Sequence, residues 1–451
     1  MDAACFRRFI GHLELLLLIS YLLISCNPSV RPMEAAISGN PTTAIKPEDK
    51  PASVDRNDPG IGFIQTKWGL WSEGKTFLRG ANIWQSLVIP EVDGDFKGTG
   101  YTGPPFNQED FNRLAEWGAN YLVLSVPGIF TEKTPYQLDK KAQENLERLL
   151  DMAAKADLFV TIAFRTGPGR AEWSLCCSGD EEWQGYFNDT VWTDPAAQQA
   201  WAEMWKTTAE LYRERPEVVG YELMVEPNGE DILLDIWNAE DFFPKYANSS
   251  YDWNQFYPKI VNTIRQVDKE TPIIVGGASY SRIGWLPYLQ PVKDNKIVYD
   301  IHQYEPVSAY THQGPGSRHG YPGRYDLDND GIVDDFNLKW LRKQYQIVQD
   351  FSDQNQAAIS INEFGSKRSA PDAANFIQDQ FEIFETNGWN HAIWEWSSTF
   401  KPFCEAVTDF NFRLGPDPEN KSKEIQNELA DVIKSYWQKN TIRPSLAIWN
   451  K

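Results

Sequence analysis

Val218-Val219-Gly220-Tyr221-Glu222-Leu223-Met224-Val225, closed by Glu226-Pro227-Asn228, decides how the rest of the chain reads. It is a short run of β-branched, aromatic and other apolar residues that stops at an acid, a proline and an asparagine, as a strand of a parallel sheet does where it meets a loop. Ala358-Ile359-Ser360-Ile361-Asn362 is built the same way and stops at Glu363-Phe364-Gly365. Outward from these two, further runs lie at Phe77–Asn82, Ala119–Val126, Leu158–Arg165, Pro272–Val275, Ile297–His302 and Ala392–Trp396. Between them stretch Asn107–Trp117, Lys141–Ala156, Pro195–Arg213, Trp253–Lys269, Phe336–Ser352 and Ala373–Asn387, with apolar residues at three- and four-residue spacing, and Glu424–Trp437 follows the last run. Strands feeding helices in this order predict an α/β fold, a single (β/α)8 TIM barrel with long βα loops over residues 61–451, in preference to a doubly wound sheet. No period suggests a solenoid or propeller.

Composition narrows the partners. A formal charge of −20 with a pI near 4.8 excludes nucleic acid and anionic membrane as electrostatic partners, because the chain repels phosphate. The 18 Trp, 19 Tyr and 24 Phe suit the flat, CH-rich faces of sugars as well as a core. The N-terminus has Arg7 and Arg8 before an apolar stretch from Leu13 to Ile24, too short to span a bilayer comfortably, and reads as a secretory signal. Its end, Leu23-Ile24-Ser25-Cys26, resembles the bacterial lipoprotein cleavage box, which implies a signal peptide over 1–25 and a lipid on Cys26. Residues 26–60, rich in Pro, Ser, Thr, Ala, Asn and charge, read as a flexible tether. The expectation is an exported protein, lipid-anchored at the bacterial cell surface or outer membrane, touching membrane only through that anchor. Cys176, Cys177 and Cys404 then allow at most one internal bridge, and their spacing is not that of a metal site.

In a (β/α)8 barrel the chemistry sits at the C-terminal ends of the strands, so an acid that ends an apolar run is the first candidate. Glu226 and Glu363 end the fourth and seventh runs. Retaining glycosidases need two carboxyl groups about 5 Å apart, one protonated to donate to the leaving oxygen and one ionised to attack the anomeric carbon. The charge of one raises the pKa of the other, which keeps one proton in the pair. Glu226 is the candidate acid/base and Glu363 the candidate nucleophile.

Over nearly all of the chain after the tether, the order of these motifs resembles glycoside hydrolase family 5, the cellulase-like barrels. The residues that carry the resemblance are Val225-Glu226-Pro227, where the family has Asn-Glu-Pro, together with Glu363-Phe364-Gly365 and His302-Gln303-Tyr304. The resemblance implies that Tyr304 hydrogen-bonds the nucleophile, that His302 lines the cleavage subsite and that Trp394 is a sugar platform, with Trp396 a weaker competitor. Leu78-Arg79-Gly80-Ala81-Asn82 is similar to the family's opening signature, which brings in Asn82, and Trp84 just beyond it is placed to stack on a sugar. Three positions depart from the pattern: Val225 stands for the Asn that binds a 2-hydroxyl, Ser125 for an Arg, and Arg165 for a His. Arg165 is a candidate to restore positive charge near Glu363. The function implied is a retaining β-glycoside hydrolase acting on a β-linked polysaccharide or oligosaccharide, β-glucan (cellulose-like) or mannan-like, with no cofactor for catalysis. The rebuilt subsite motivates the alternative of a carbohydrate-binding barrel with weak or lost catalysis.

One motif is independent of the barrel. Asp326-Leu327-Asp328-Asn329-Asp330-Gly331-Ile332-Val333-Asp334 places oxygen ligands at alternate positions around a glycine turn, as calcium requires. Asp326, Asp328, Asp330, the backbone of Ile332 and Asp334 are the candidate ligands of a structural calcium, while Asn337 holds the twelfth place where an EF-hand has Glu.

Overall fold

The computed structural model describes residues 66–93, 97–175, 181–314, 317–400, 405–447 and 449. The signal peptide, Cys26, the tether, and Cys176, Cys177 and Cys404 lie outside the described residues. Eight parallel strands close into a barrel: β1 Arg79–Trp84, β2 Tyr121–Pro127, β3 Phe159–Thr166, β4 Val218–Glu222, β5 Ile273–Gly276, β6 Ile297–Gln303, β7 Ala358–Phe364 and β8 Asn390–Ile393. Each pairs with its sequence neighbour, and β1 pairs with both β2 and β8 to leave no edge. Gly80 lets that closure occur, since a Cβ there would lie 1.6 Å from the Tyr121 carbonyl oxygen.

Side chains fill the barrel. Leu78, Tyr121, Val123, Phe159, Val219, Ile274, Val298 and Ala392 pack inside it with Leu70 and Trp71. The last two come from a four-residue helix, Gly69–Ser72, whose Trp71 Nε1 donates to the Val219 carbonyl at 3.1 Å and covers the N-terminal end. Helices α1 Gln108–Glu116, α2 Lys140–Lys155, α3 Pro195–Tyr212 and α4 Trp253–Ile264 follow the first four strands. After β6, β7 and β8 come α5 Leu338–Asn355, α6 Ala373–Asn387 and α7 Glu428–Trp437. The ends are set by caps: Asn107 accepts from the backbone of Glu109 and Asp110, and Asp139 from Lys141 and Ala142.

The crossover after β5, where the sequence offers no long helical run, carries a 3-10 helix, Ile283–Tyr288, and Pro287 within it removes a donor that a longer helix needs. The structure corrects three boundaries. β4 stops at Glu222, before the predicted Val225, and β8 stops at Ile393, before the predicted Trp396. The stretch expected to open a helix at Phe336 forms a short antiparallel ribbon instead, Asp334–Phe336 on Gly323–Tyr325, and α5 starts after Asn337, whose side chain caps it.

Candidate active site

Glu363 occupies the end of β7 beyond a bulge: Ser360 pairs with Asp300 but Glu363 with His302, so β7 carries one residue more than β6. The Asn362 amide thereby leaves the ladder and donates to the Asp300 carboxylate at 2.9 Å. Glu226 follows β4 in a tight turn and has φ +53°. One carboxylate oxygen of each acid and His302 Nδ1 all lie within 4.8 Å of one another. His302 Nδ1 is 3.0 Å from Glu226 Oε1 and 3.5 Å from Glu363 Oε2, while its Nε2 is 3.0 Å from Asp300 Oδ2. Tyr304 donates its hydroxyl to Glu363 Oε2 at 3.1 Å.

The charges in this cluster act on one another. Burial and then the Glu226 charge push the Glu363 carboxyl up to about 7, against the pull of His302, Arg165 and Tyr304. Burial also opposes ionisation of Glu226, but the His302 hydrogen bond and the cations Arg165 and Arg170 outweigh it, and its carboxyl sits below the ordinary value. His302 titrates well above its usual range: burial disfavours the imidazolium, and Glu363 and Asp300 overcome that. Between these two steps the pair holds one proton, and these directions place it on Glu363, so the proton has to pass to Glu226 before Glu363 can attack and Glu226 can act as the acid.

Arg165, at the end of β3, is paired with Glu172 at 2.7 Å and donates to the Ser125 hydroxyl at 3.2 Å. Ser125 is small enough to let a guanidinium from β3 reach over the end of β2, so the two departures are one rearrangement. The Arg165 guanidinium stands 5.7 Å from the Trp394 ring. Trp84 Nε1 donates to the same Glu172 carboxylate at 3.1 Å. Trp394 and Trp84 are half-buried, each with part of its surface open. Trp396 is instead fully buried, edge-on to Trp117.

Asn82 is a correction. It is fully buried, and its Nδ2 donates to the carbonyls of Asn362 at 2.6 Å and Ala392 at 3.2 Å, so it ties β1 to β7 and β8 beneath the site. Sequence reading missed Glu222, Asp300 and Glu172. Glu222 is buried below His302, receives Asn362 Nδ2 at 2.9 Å and is pushed up to about 8 by burial and then by Asp300. A signal existed for two of them: an acid inside an apolar strand has to face something polar, and Asp300 shares a strand face with His302 two residues on.

The acidic loop lies apart from these residues in sequence. One carboxylate oxygen each of Asp326, Asp328 and Asp330 lie within 4.8 Å of one another, and Gly331 takes φ +84°. The loop also bonds itself: Asp326 accepts from the Gly331 amide at 2.8 Å and Asp330 from Ile332 at 2.7 Å. Asn337 is spent on capping α5.

Residues 85–399, well over half the chain, match the cellulase family, glycosyl hydrolase family 5. The chain belongs to that family. As a family 5 member it is classed as a glycoside hydrolase, endoglucanase-like. It is similar to Endoglucanase C of Acetivibrio thermocellus, 21% identical over 352 residues, 72% of this chain and 90% of that enzyme. It is also similar to Endoglucanase 3 of Fibrobacter succinogenes, 27% identical over 251 residues, 49% of this chain and 36% of that enzyme. Endoglycoceramidase of Hydra vulgaris is 22% identical over 279 residues, 51% of this chain and 52% of that enzyme. A hyperthermophilic endo-β-1,4-glucanase solved with substrate has a similar fold, TM-score 0.56 at 20% identity, covering 82% of this chain and 100% of the other. So does Thermotoga maritima Cel5A solved with mannotriose, TM-score 0.55 at 22% identity, covering 80% and 98%.

Proposed function

We propose that this family 5 protein hydrolyses β-glycosidic bonds of a β-linked polysaccharide or oligosaccharide, glucan or mannan in type, with retention of configuration. The observation that carries the reading is the approach of Glu226 and Glu363, one oxygen of each lying within 4.8 Å of the other and of a His302 ring nitrogen, which favours a retaining pair over the wider spacing of an inverting one. Glu363 attacks the anomeric carbon to form a glycosyl-enzyme, with Tyr304 donating to it. Glu226 protonates the leaving oxygen and then draws a proton from the incoming water. His302, within reach of both carboxylates, is placed to pass the single proton of the pair from one to the other. Trp394 and Trp84 offer ring faces to the sugar, and Arg165 supplies positive charge beside the site. The alternative, a binding barrel without catalysis, draws on Val225, Ser125 and Arg165, but Arg165 is bonded to Ser125, so two of the three departures are partners in one contact.

Two further elements belong to the proposal. The Leu23–Cys26 box supports export and lipid attachment at Cys26, with the barrel held at the bacterial surface on residues 26–60. The convergence of Asp326, Asp328 and Asp330, with one buried Asp326 oxygen lacking a hydrogen-bond partner, supports a structural calcium, with the Ile332 carbonyl and Asp334 as further ligands.

Hydrolysis of a panel of β-glucans, mannans and aryl β-glycosides by the wild-type chain and by Glu226→Ala and Glu363→Ala tests the mechanism. Cleavage with retained anomeric configuration, abolished by Glu363→Ala, is the expected result. Sugar binding with no cleavage anywhere on the panel would favour the binding barrel.

A further inference from the structure

We infer that Arg170 is the positioning residue of the acid/base turn: its buried guanidinium clamps the backbone on both sides of Glu226 and so fixes where that carboxyl points. The inference rests on the reading of Glu226 as acid/base. β4 ends at Glu222, and although the Val225 amide still donates to the Phe164 carbonyl at 3.0 Å, the carbonyls of Val225 and Glu226 accept no backbone hydrogen bond among the described residues. Arg170 takes both: Nη1 donates to Val225 O at 2.6 Å and Nη2 to Glu226 O at 2.7 Å. Nη2 also reaches Asn228 Oδ1 at 3.2 Å, and Asn228 in turn donates to Ser174 O at 2.8 Å.

Glu226 needs such a clamp because its φ of +53° is the left-handed region, which a side-chain-bearing residue holds only when its surroundings over-determine it. The arginine is itself fixed. Gly167 and Arg170 exchange backbone hydrogen bonds of 3.0 and 2.9 Å across the Gly167-Pro168-Gly169-Arg170 turn, and Gly169 supplies φ +75°. Arg170 is fully buried, and burial lowers its pKa only to about 10, so it stays charged at neutral pH. A planar fork spans two successive carbonyls, whereas a lysine ammonium is a single point and cannot reproduce that geometry.

General acid help matters when the leaving group is poor and little when it is good, so a displaced acid/base has a signature that a merely loosened fold lacks. The test compares kcat/KM on phenyl and dinitrophenyl β-cellobiosides for wild type, Glu226→Ala, Arg170→Lys and Asn228→Ala. Because kcat/KM reports the bond-breaking step, and the ratio of the two substrates does not depend on how much protein is folded, partial unfolding leaves the ratio unchanged. Glu226→Ala should lose about 10³-fold on the phenyl glycoside and little on the dinitrophenyl glycoside. Arg170→Lys should show the same asymmetry, about 10²-fold against at most about 3-fold, the cost of misplacing a reacting group by about 1 Å. Asn228→Ala should show it more weakly, and stands in if Arg170→Lys does not fold. Equal losses on both substrates for the Arg170 and Asn228 variants, with the asymmetry intact in Glu226→Ala, would overturn the clamp alone. No asymmetry in Glu226→Ala would overturn the acid/base reading and the clamp with it.

Discussion

Replacing Tyr304 by Phe removes one hydrogen bond and little else. The ring keeps its edge-on contacts with His312 and Phe410, at 5.2 and 6.1 Å between centroids, while the hydroxyl 3.1 Å from Glu363 Oε2 is lost. A hydrogen bond to a charged group is worth about 1.5–3 kcal/mol net, and one pKa unit about 1.36 kcal/mol, so the Glu363 step should move by roughly one to two units. The sign follows from which form is bonded. Tyr304 donates to the ionised carboxylate and pulls its pKa down, so its loss raises a step already pushed up to about 7 by burial and the Glu226 charge. That step, the loss of the pair's last proton, is the alkaline limb of kcat/KM against pH, and the limb should move to higher pH. Over the plateau the rate should fall by about 10- to 100-fold, because the single proton is held more firmly on Glu363 and the nucleophile is ionised for less of the time. A kcat/KM profile of both proteins on one aryl β-glycoside reads the two effects together. A rate loss with the alkaline limb unmoved, or moved to lower pH, would refute the role given to Tyr304.

The barrel was legible because all eight strands are short apolar runs with polar ends, and all eight exist. Their ends were less legible where loop residues stay apolar: Leu223, Met224 and Val225 are buried and so continue the pattern of β4 past its last residue, with single hydrogen bonds from Leu223 to Ile274 and from Val225 to Phe164. Glu226 and Glu363 stood out for the same reason that the strands did, as acids ending apolar runs. Asn82 read as a site residue because its neighbours match a motif, while its burial depends on the approach of β7 and β8, nearly three hundred residues on. Arg170 and Glu172 carried no local signal. They lie just after a Gly-Pro-Gly turn of a kind common in surface loops, and their partners at Val225, Glu226 and Trp84 are brought in by the closed barrel. Residues whose meaning is a distant contact are those that pattern reading omits.

The remaining predictions concern stability. If the acidic loop holds calcium, excess calcium over chelator should raise the melting temperature by several degrees, since saturation at a hundred times Kd adds about 2.7 kcal/mol, and Asp328→Asn should abolish the rise. A wild-type chain that melts at the same temperature in both buffers would remove calcium from the proposal. The second concerns Glu385, which lies on α6 and takes both forks of Arg79, Nε to Oε1 at 2.6 Å and Nη2 to Oε2 at 2.7 Å. Burial raises the Glu385 pKa, but Arg79 and His391 outweigh it and hold the carboxyl down to about 2. Its folded pKa is thus depressed from an unfolded value of about 4.3, so its contribution is fully present above about pH 5 and drains as pH falls towards 2. Because Glu385 is partly exposed, screening reduces the pair to about 0.5–1 kcal/mol. Urea unfolding should therefore find Glu385→Gln less stable than wild type by that amount at pH 6, with the gap narrowing as the pH is lowered through 3. A gap that stays constant across this range would mean that the carboxylate stabilises by packing alone, and that the charge on Arg79 finds its compensation elsewhere.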